Sequence, residues 1–463
     1  MAVDHTLRGA IYPHSNSRSR LPKRWSIGRN IHHRTVATVS AAFLFLVLSA
    51  SCWSYPLDGD HYTGIARLKG YRLAQEGKVR GIRLFPGALL KTEQVGLRLL
   101  NHSELELPAE DPRFSEQVRG LLGSPDRYGL AVFDVTDIRN PRYAEHRAGV
   151  RSNPGSVGKL IIGLGVFQAL ADIYPDDVTS RLRVLRESMV TADEFILTDH
   201  HKVPFWDVAA QRLRHRPLQI GDRASLWTYL DWMLSASSNA AASMVMSHLL
   251  LMVKFGRDYP VEDGVAKAFF QETPKDELSA LLARALHDPI SRNGLDLEKL
   301  RQGKFFTWKG KRLVPGVPSY ATPRELIRFL LRLEQGKLVD PFSSRELKRL
   351  IYMTQRRIRY ASSPALADFA VYFKSGSLYK CKSEPDFKCR KYHGNVFNWM
   401  NSVAIVEGPL EGRRLFYMTV VTSNVLRQNS AVEHQTFATR LHRLISSYHR
   451  VEKAGLAVSW IEK

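Results

Sequence analysis

Asn153-Pro154-Gly155-Ser156-Val157-Gly158-Lys159-Leu160-Ile161-Ile162 is the stretch that decides how the rest of this 463-residue chain reads. A Pro-Gly turn leads into a serine, a lysine follows three residues later, and the apolar run 160–170 reads as a buried helix. Residues three apart on a helix share a face, so Lys159 can reach the Ser156 hydroxyl. A serine hydroxyl is a weak nucleophile at neutral pH and needs a base beside it. Lysine serves as that base only when neutral, and Leu160, Ile161, Ile162 and Leu164 supply the desolvation that lowers its pKa. At the start of a helix the backbone N–H groups are free, and they favour the negative charge of a tetrahedral intermediate.

Two further polar motifs follow in order. Residues 220–234 read as an amphipathic helix, and after it Ser237-Ser238-Asn239 stands before another apolar stretch, 244–253. Ser237 and Asn239 then either point into a cleft or cap the following helix. Phe369-Ala370-Val371-Tyr372-Phe373 reads as a strand running into Lys374-Ser375-Gly376-Ser377. The glycine lets a substrate approach the strand edge, Lys374 and Ser375 can hold a carboxylate, and the Ser377 N–H can serve as a second oxyanion donor.

In this order the motifs resemble the penicillin-recognising serine hydrolases, and within them the class A β-lactamase-like branch, over residues 128–448. The strand pair 128–136 and 142–146, the helix at 321–331 and the closing strands 398–406 and 414–422 fall where that family has them. The resemblance implies an α+β fold: an antiparallel sheet flanked by helices, plus an all-helical subdomain. It also implies residue roles. Ser156 is the acylated nucleophile and Lys159 its general base or base partner. Ser237 passes a proton to the leaving nitrogen, while Asn239 holds Lys159 and a substrate amide. Lys374 sets the field around Ser237, with Ser375, Gly376 and Ser377 binding substrate and the N–H groups of Ser156 and Ser377 forming the oxyanion hole. No cofactor is called for.

Two departures from the family pattern stand out. Ser238 occupies a position usually held by aspartate, which bears on the rigidity of that loop. The glutamate expected shortly before Ala321-Thr322-Pro323 is missing, because residues 311–320 contain no carboxylate. Glu298 and Asp296 lie further upstream and read as the solvated side of a helix. In the family that glutamate activates the water that releases the acyl group, so an acyl-enzyme formed with a β-lactam is expected to persist.

The N-terminus speaks to location. Residues 35–57 carry no charge, long enough to span a bilayer, and residues 1–34 hold seven Arg or Lys against one Asp. The positive-inside rule then places the basic arm in the cytoplasm and the remainder outside, on the periplasmic side, with 35–57 contacting the inner membrane as a retained anchor or serving as a cleaved signal. Cys381 and Cys389, eight apart in sequence, are expected disulfide partners in an oxidising compartment, and a metal site is not indicated since His393 is the only other ligand type nearby. His200-His201 lies between the first two motifs, as an exposed or structural pair or as a contact to substrate or metal.

The expected organisation is therefore a basic arm 1–34, a membrane segment 35–57, a small and β-rich module 58–126, a serine hydrolase domain 127–450 and a tail 451–463. The formal net charge of +22 belongs mostly to the exported part. It either solvates the surface or favours anionic cell-wall polymers and lipid headgroups, with nucleic acid excluded by compartment. The expected substrate is a cell-wall peptide or a β-lactam. The alternatives are a true β-lactamase with a displaced deacylation carboxylate, and a non-catalytic wall-binding protein, for which a nucleophile and base together are superfluous.

Overall fold

A computed structural model describes residues 55–354 and 357–458, with side chains up to 450. The basic arm and nearly all of the expected membrane segment lie outside the described residues. The last residues of that segment, Tyr55 to Leu57, are buried in the protein, and the Tyr55 hydroxyl donates to Glu346 at 2.8 Å, so the uncharged run ends inside the domain. Among the described residues one helix is long and apolar enough to cross a membrane, Gly155–Ile173, and it lies mostly buried inside the protein.

Five antiparallel strands form the central sheet: β1 (Tyr128–Asp134), β2 (Arg142–His146), β3 (Ala370–Lys380), β4 (Phe397–Leu410) and β5 (Arg413–Asn424), in the order β2-β1-β5-β4-β3. β4 and β5 are joined by the two-residue turn Glu411-Gly412, both at positive φ, the geometry that matches the twist of paired strands. Strand residues alternate between two cores. Ala131, Phe133, Val403, Ile405 and Met418 face a large helical body, whereas Leu130, Val132, Ala404, Val406 and Tyr417 face Phe114, Val118 and the C-terminal helix.

The helices that place the site are α1 (Ala66–Gln75), α2 (Lys159–Ile173), α3 (Leu226–Leu234), α4 (Asn239–Phe255), α5 (Pro323–Glu334), α6 (Pro341–Leu350) and α7 (Ser430–Val458). Helix α3 begins later than its sequence pattern suggested, because Gly221 turns the chain at φ +89° and residues Arg223–Ser225 form a short strand before Ser225 caps the helix at Thr228 N. All of α3 is buried, so it is a core helix and not an amphipathic one. Ser238, rather than Ser237 or Asn239, caps α4 by accepting from Ala241 N at 3.1 Å. Lys374-Ser375-Gly376 lies within β3 instead of following it.

Residues 58–126 are helical and irregular, with no strand, in place of the expected β-rich module. Gly and Pro interrupt the apolar positions, and in α1 the buried residues Arg67, Leu68, Tyr71 and Ala74 fall at helical spacing. This segment is part of the same compact unit as the catalytic motifs. It is joined there by polar contacts: Arg67 grips Asp231 of α3 in the interior, and Arg98 meets Glu407 of β4, which also accepts from Tyr372 at 2.6 Å.

Candidate active site

Ser156 sits in a single tight turn, Gly155–Gly158, that runs directly into α2. The turn is possible because Gly155 adopts φ +52°, and its N–H is held by Asn153 Oδ1 at 2.9 Å. Strand β3 passes so close that a Cβ on Gly376 would lie 2.3 Å from the Pro154 carbonyl and 2.7 Å from Ser156 N. Only glycine fits there, and the approach brings the backbone around Ser156 and Ser377 together, as an oxyanion hole requires.

Lys159 is fully buried, and its Nζ lies 3.2 Å from Ser156 Oγ, 2.6 Å from the Ser237 carbonyl and 2.8 Å from Asn239 Oδ1. Two of these neighbours can only accept, so the two N–H bonds of a neutral amine are consumed by them and its lone pair is left facing the Ser156 hydroxyl. Burial lowers the Lys159 pKa well below the usual lysine value, the charge of Lys374 lowers it further, and Asp199 acts in the opposite sense. The ring of Phe306 lies 4.7 Å from the same nitrogen. Ser237 is held at φ +57°, a conformation rare outside glycine, and this turns its carbonyl toward Lys159. Its hydroxyl accepts from Lys374 Nζ at 2.8 Å, and Lys374 also donates to the Ser375 carbonyl at 3.1 Å.

Three residues absent from the sequence reading complete the arrangement. Arg359 donates from Nη1 to Ser375 Oγ at 2.6 Å and from Nη2 to Ser377 Oγ at 2.9 Å. Its Nη2 also meets Tyr392 OH at 2.9 Å, three residues beyond Cys389, which is joined to Cys381 by a disulfide with an S–S distance of 2.00 Å. Asp199 lies against the start of α4, paired through Oδ1 with His201 Nδ1 at 2.5 Å, so the segment of His200-His201 reaches the second motif through Asp199 and not through a histidine. Phe306 comes from the segment before Ala321-Thr322-Pro323. No local pattern marks Arg359 or Phe306, whereas Asp199 directly precedes the His200-His201 pair. Among the described residues no group of three or more His, Cys, Asp or Glu side chains is placed to hold a metal ion.

The two upstream carboxylates do not join the site. Glu298 is 72% exposed and pairs with Arg151 at 3.1 Å, and Asp296 pairs with Lys299, both in a turn and not on a helix. The corresponding segment instead sets Gln302 against the active-site turn, where a Cβ on Gly158 would lie 2.0 Å from Gln302 Oε1.

A buried lysine beside a serine, a second serine between two lysines, and a glycine-bearing strand edge together define a serine hydrolase of the penicillin-recognising class. The chain belongs to the β-lactamase enzyme family, whose family model matches residues 114–446. Similar solved structures include PBP-A, at 13% identity over 74% of this chain and 100% of that one with a TM-score of 0.42. A β-lactamase from Sphaerobacter thermophilus is 14% identical over 71% of this chain and 94% of its own, with a TM-score of 0.44. The TLA-3 extended-spectrum β-lactamase is 11% identical over 72% and 98%, with a TM-score of 0.46. No curated protein matches the chain in sequence.

Proposed function

We propose that this chain is an exported enzyme that forms an ester between Ser156 and the carbonyl of a cell-wall peptide amide or a β-lactam, and releases that ester slowly. The observation that carries the proposal is the buried Lys159 amine 3.2 Å from Ser156 Oγ with its other two directions taken by carbonyls. Lys159 takes the Ser156 proton as Oγ attacks the substrate carbonyl. The resulting oxyanion is stabilised by the N–H groups of Ser156 and Ser377, and as the C–N bond breaks Ser237 passes a proton to the leaving nitrogen while the proton taken by Lys159 returns to replace it, so that one proton moves from Ser156 to the nitrogen overall. Lys374, beside Ser237, supports that transfer by its charge.

A substrate carboxylate is held by Ser375, Ser377 and Arg359, whose Nε is buried with no hydrogen-bond partner among the described residues. Losing a charge-assisted bond of this kind costs about 1.5–3 kcal/mol, so Arg359→Ala is expected to weaken substrate capture by about 10- to 100-fold while leaving the acylation step at saturation nearly unchanged. Concentration series of a labelled penicillin measure both quantities.

Slow release follows from the surroundings of Lys159. From the segment before Ala321-Thr322-Pro323, Phe306 and Gln302 rather than a carboxylate lie against Lys159 and Gly158, and Glu298 is turned to solvent. Nitrocefin is therefore expected to give a stoichiometric burst with little further hydrolysis. Sustained turnover would favour the β-lactamase reading instead.

Export is supported by the basic arm ahead of an uncharged run and by the Cys381–Cys389 disulfide, a bond that persists in oxidising compartments. In this reading 127–450 is the catalytic domain, and 58–126 braces it.

A further inference from the structure

The carboxylate that steadies the second motif comes from outside it. Ser238 has no charge to offer the start of α4, yet Asp199, 39 positions upstream in the chain, brings its Oδ2 within 3.0 Å of Ser238 Oγ, 2.8 Å of Asn239 N and 2.9 Å of Ala240 N. The two amides are donors that a helix leaves without internal partners, and the N-terminal end of the 17-residue α4 favours an anion. The Asp199 side chain is only 3% exposed. Burial alone would raise its pKa, but the hydrogen bond and charge of His201 and the Ala240 amide outweigh burial and hold it well below the usual carboxylate range, so the group is ionised at neutral pH.

We infer that Asp199 is a positioning residue for acylation: from a separate segment it fixes the turn at 237–240, and with it the Ser237 and Asn239 oxygens that hold Lys159. This rests on Lys159 acting as the base for Ser156. The turn is a demanding one, because Ser237 must stay at φ +57° for its carbonyl to meet Lys159. Three bonds from one buried carboxylate to the next three residues supply the restraint. The charged groups around this arrangement are His201 on the same segment as Asp199, Lys159 from α2 and Lys374 from β3. Asp199 therefore has a second, separable effect: its charge favours the ammonium form of Lys159, against burial and Lys374.

Two measurements on the full-length chain test this. Amide hydrogen exchange at residues 237–241 is expected to accelerate in Asp199→Ala, since the restraint on the turn is gone; unchanged protection overturns the inference whatever the enzyme acylates. The rate of Ser156 acylation by a labelled penicillin, followed against pH, is the other. Asp199→Ala is expected to lose on the order of 100-fold, the scale of a small misplacement of a reacting group. Asp199→Asn removes the charge that favours the ammonium, so its rising limb moves to lower pH; an unmoved limb contradicts the inference. Adding Ser238→Asp to Asp199→Ala returns a carboxylate to the same helix end and is expected to recover most of the lost rate, and a failure to recover counts against a positioning role. A wild type that forms no adduct at all removes the acyl-serine reading, and the exchange result still decides whether Asp199 holds the turn.

Discussion

Lys159→Met is expected to slow acylation of Ser156 by ~10³-fold, within the range that general-base catalysis contributes. Methionine keeps the length and apolar stem of the side chain, so the fully buried site stays filled, while the lone pair facing Ser156 Oγ is lost. The expected pH dependence follows from the same contacts. Lys159 accepts a proton only when neutral, and burial with Lys374 nearby lowers its pKa well below the usual value. Acylation by the wild type should therefore rise with pH through that lowered pKa and level off above it, and the methionine variant should lose this limb. The check is the rate of adduct formation with a labelled penicillin across a pH series, read beside the circular dichroism spectrum of both proteins. A variant that acylates at the wild-type rate would take Lys159 out of the mechanism.

Arg67→Ala is the second large effect, and it falls on stability. Arg67 Nε lies 2.6 Å from Asp231 Oδ2, Nη2 lies 2.5 Å from Oδ1, and both side chains are almost completely buried at 1% and 0% exposure. Removing one partner of such a pair strands a charge in the interior, which costs on the order of 3–5 kcal/mol. Because Arg67 belongs to α1 and Asp231 to α3, the loss should loosen the N-terminal segment from the helices that carry Ser237. Urea denaturation of the wild type and of Arg67→Ala measures the difference. The double variant Arg67→Met with Asp231→Leu leaves no charge behind and should recover most of it, as well-packed apolar replacements of buried ion pairs do. A cost within the range of ordinary surface substitutions would show that residues 58–126 are not a brace for the domain.

The parts of the site that could be read from the sequence are those whose chemistry is local. Ser156 and Lys159 are one helical turn apart, Ser237 and Asn239 share a turn, and Lys374 to Ser377 share a strand edge, so residue type and spacing carry the message. Asp199 and Arg359 act across 41 and 18 positions, on Ala240 N and Ser377 Oγ, and only the folded chain brings them there. Phe306 was equally silent: an aromatic residue in an irregular segment gives no sign that its ring will lie against a buried amine. The strands were legible as short apolar runs, because both faces of the sheet are buried, with Leu130 against one core and Ala131 against the other. The segment 58–126 was misread because short apolar pieces between Gly and Pro suit a strand or a helical turn equally well, and its buried ion pairs with distant residues settle the matter only in three dimensions.

Intact-mass spectrometry of the full chain after incubation with a penicillin of known mass tests the central claim most directly. The expected result is an increase equal to the whole penicillin, carried on the peptide that contains Ser156, lasting after excess ligand is removed and absent from Ser156→Ala. No increase in the wild type, or an increase that survives in Ser156→Ala, would contradict it.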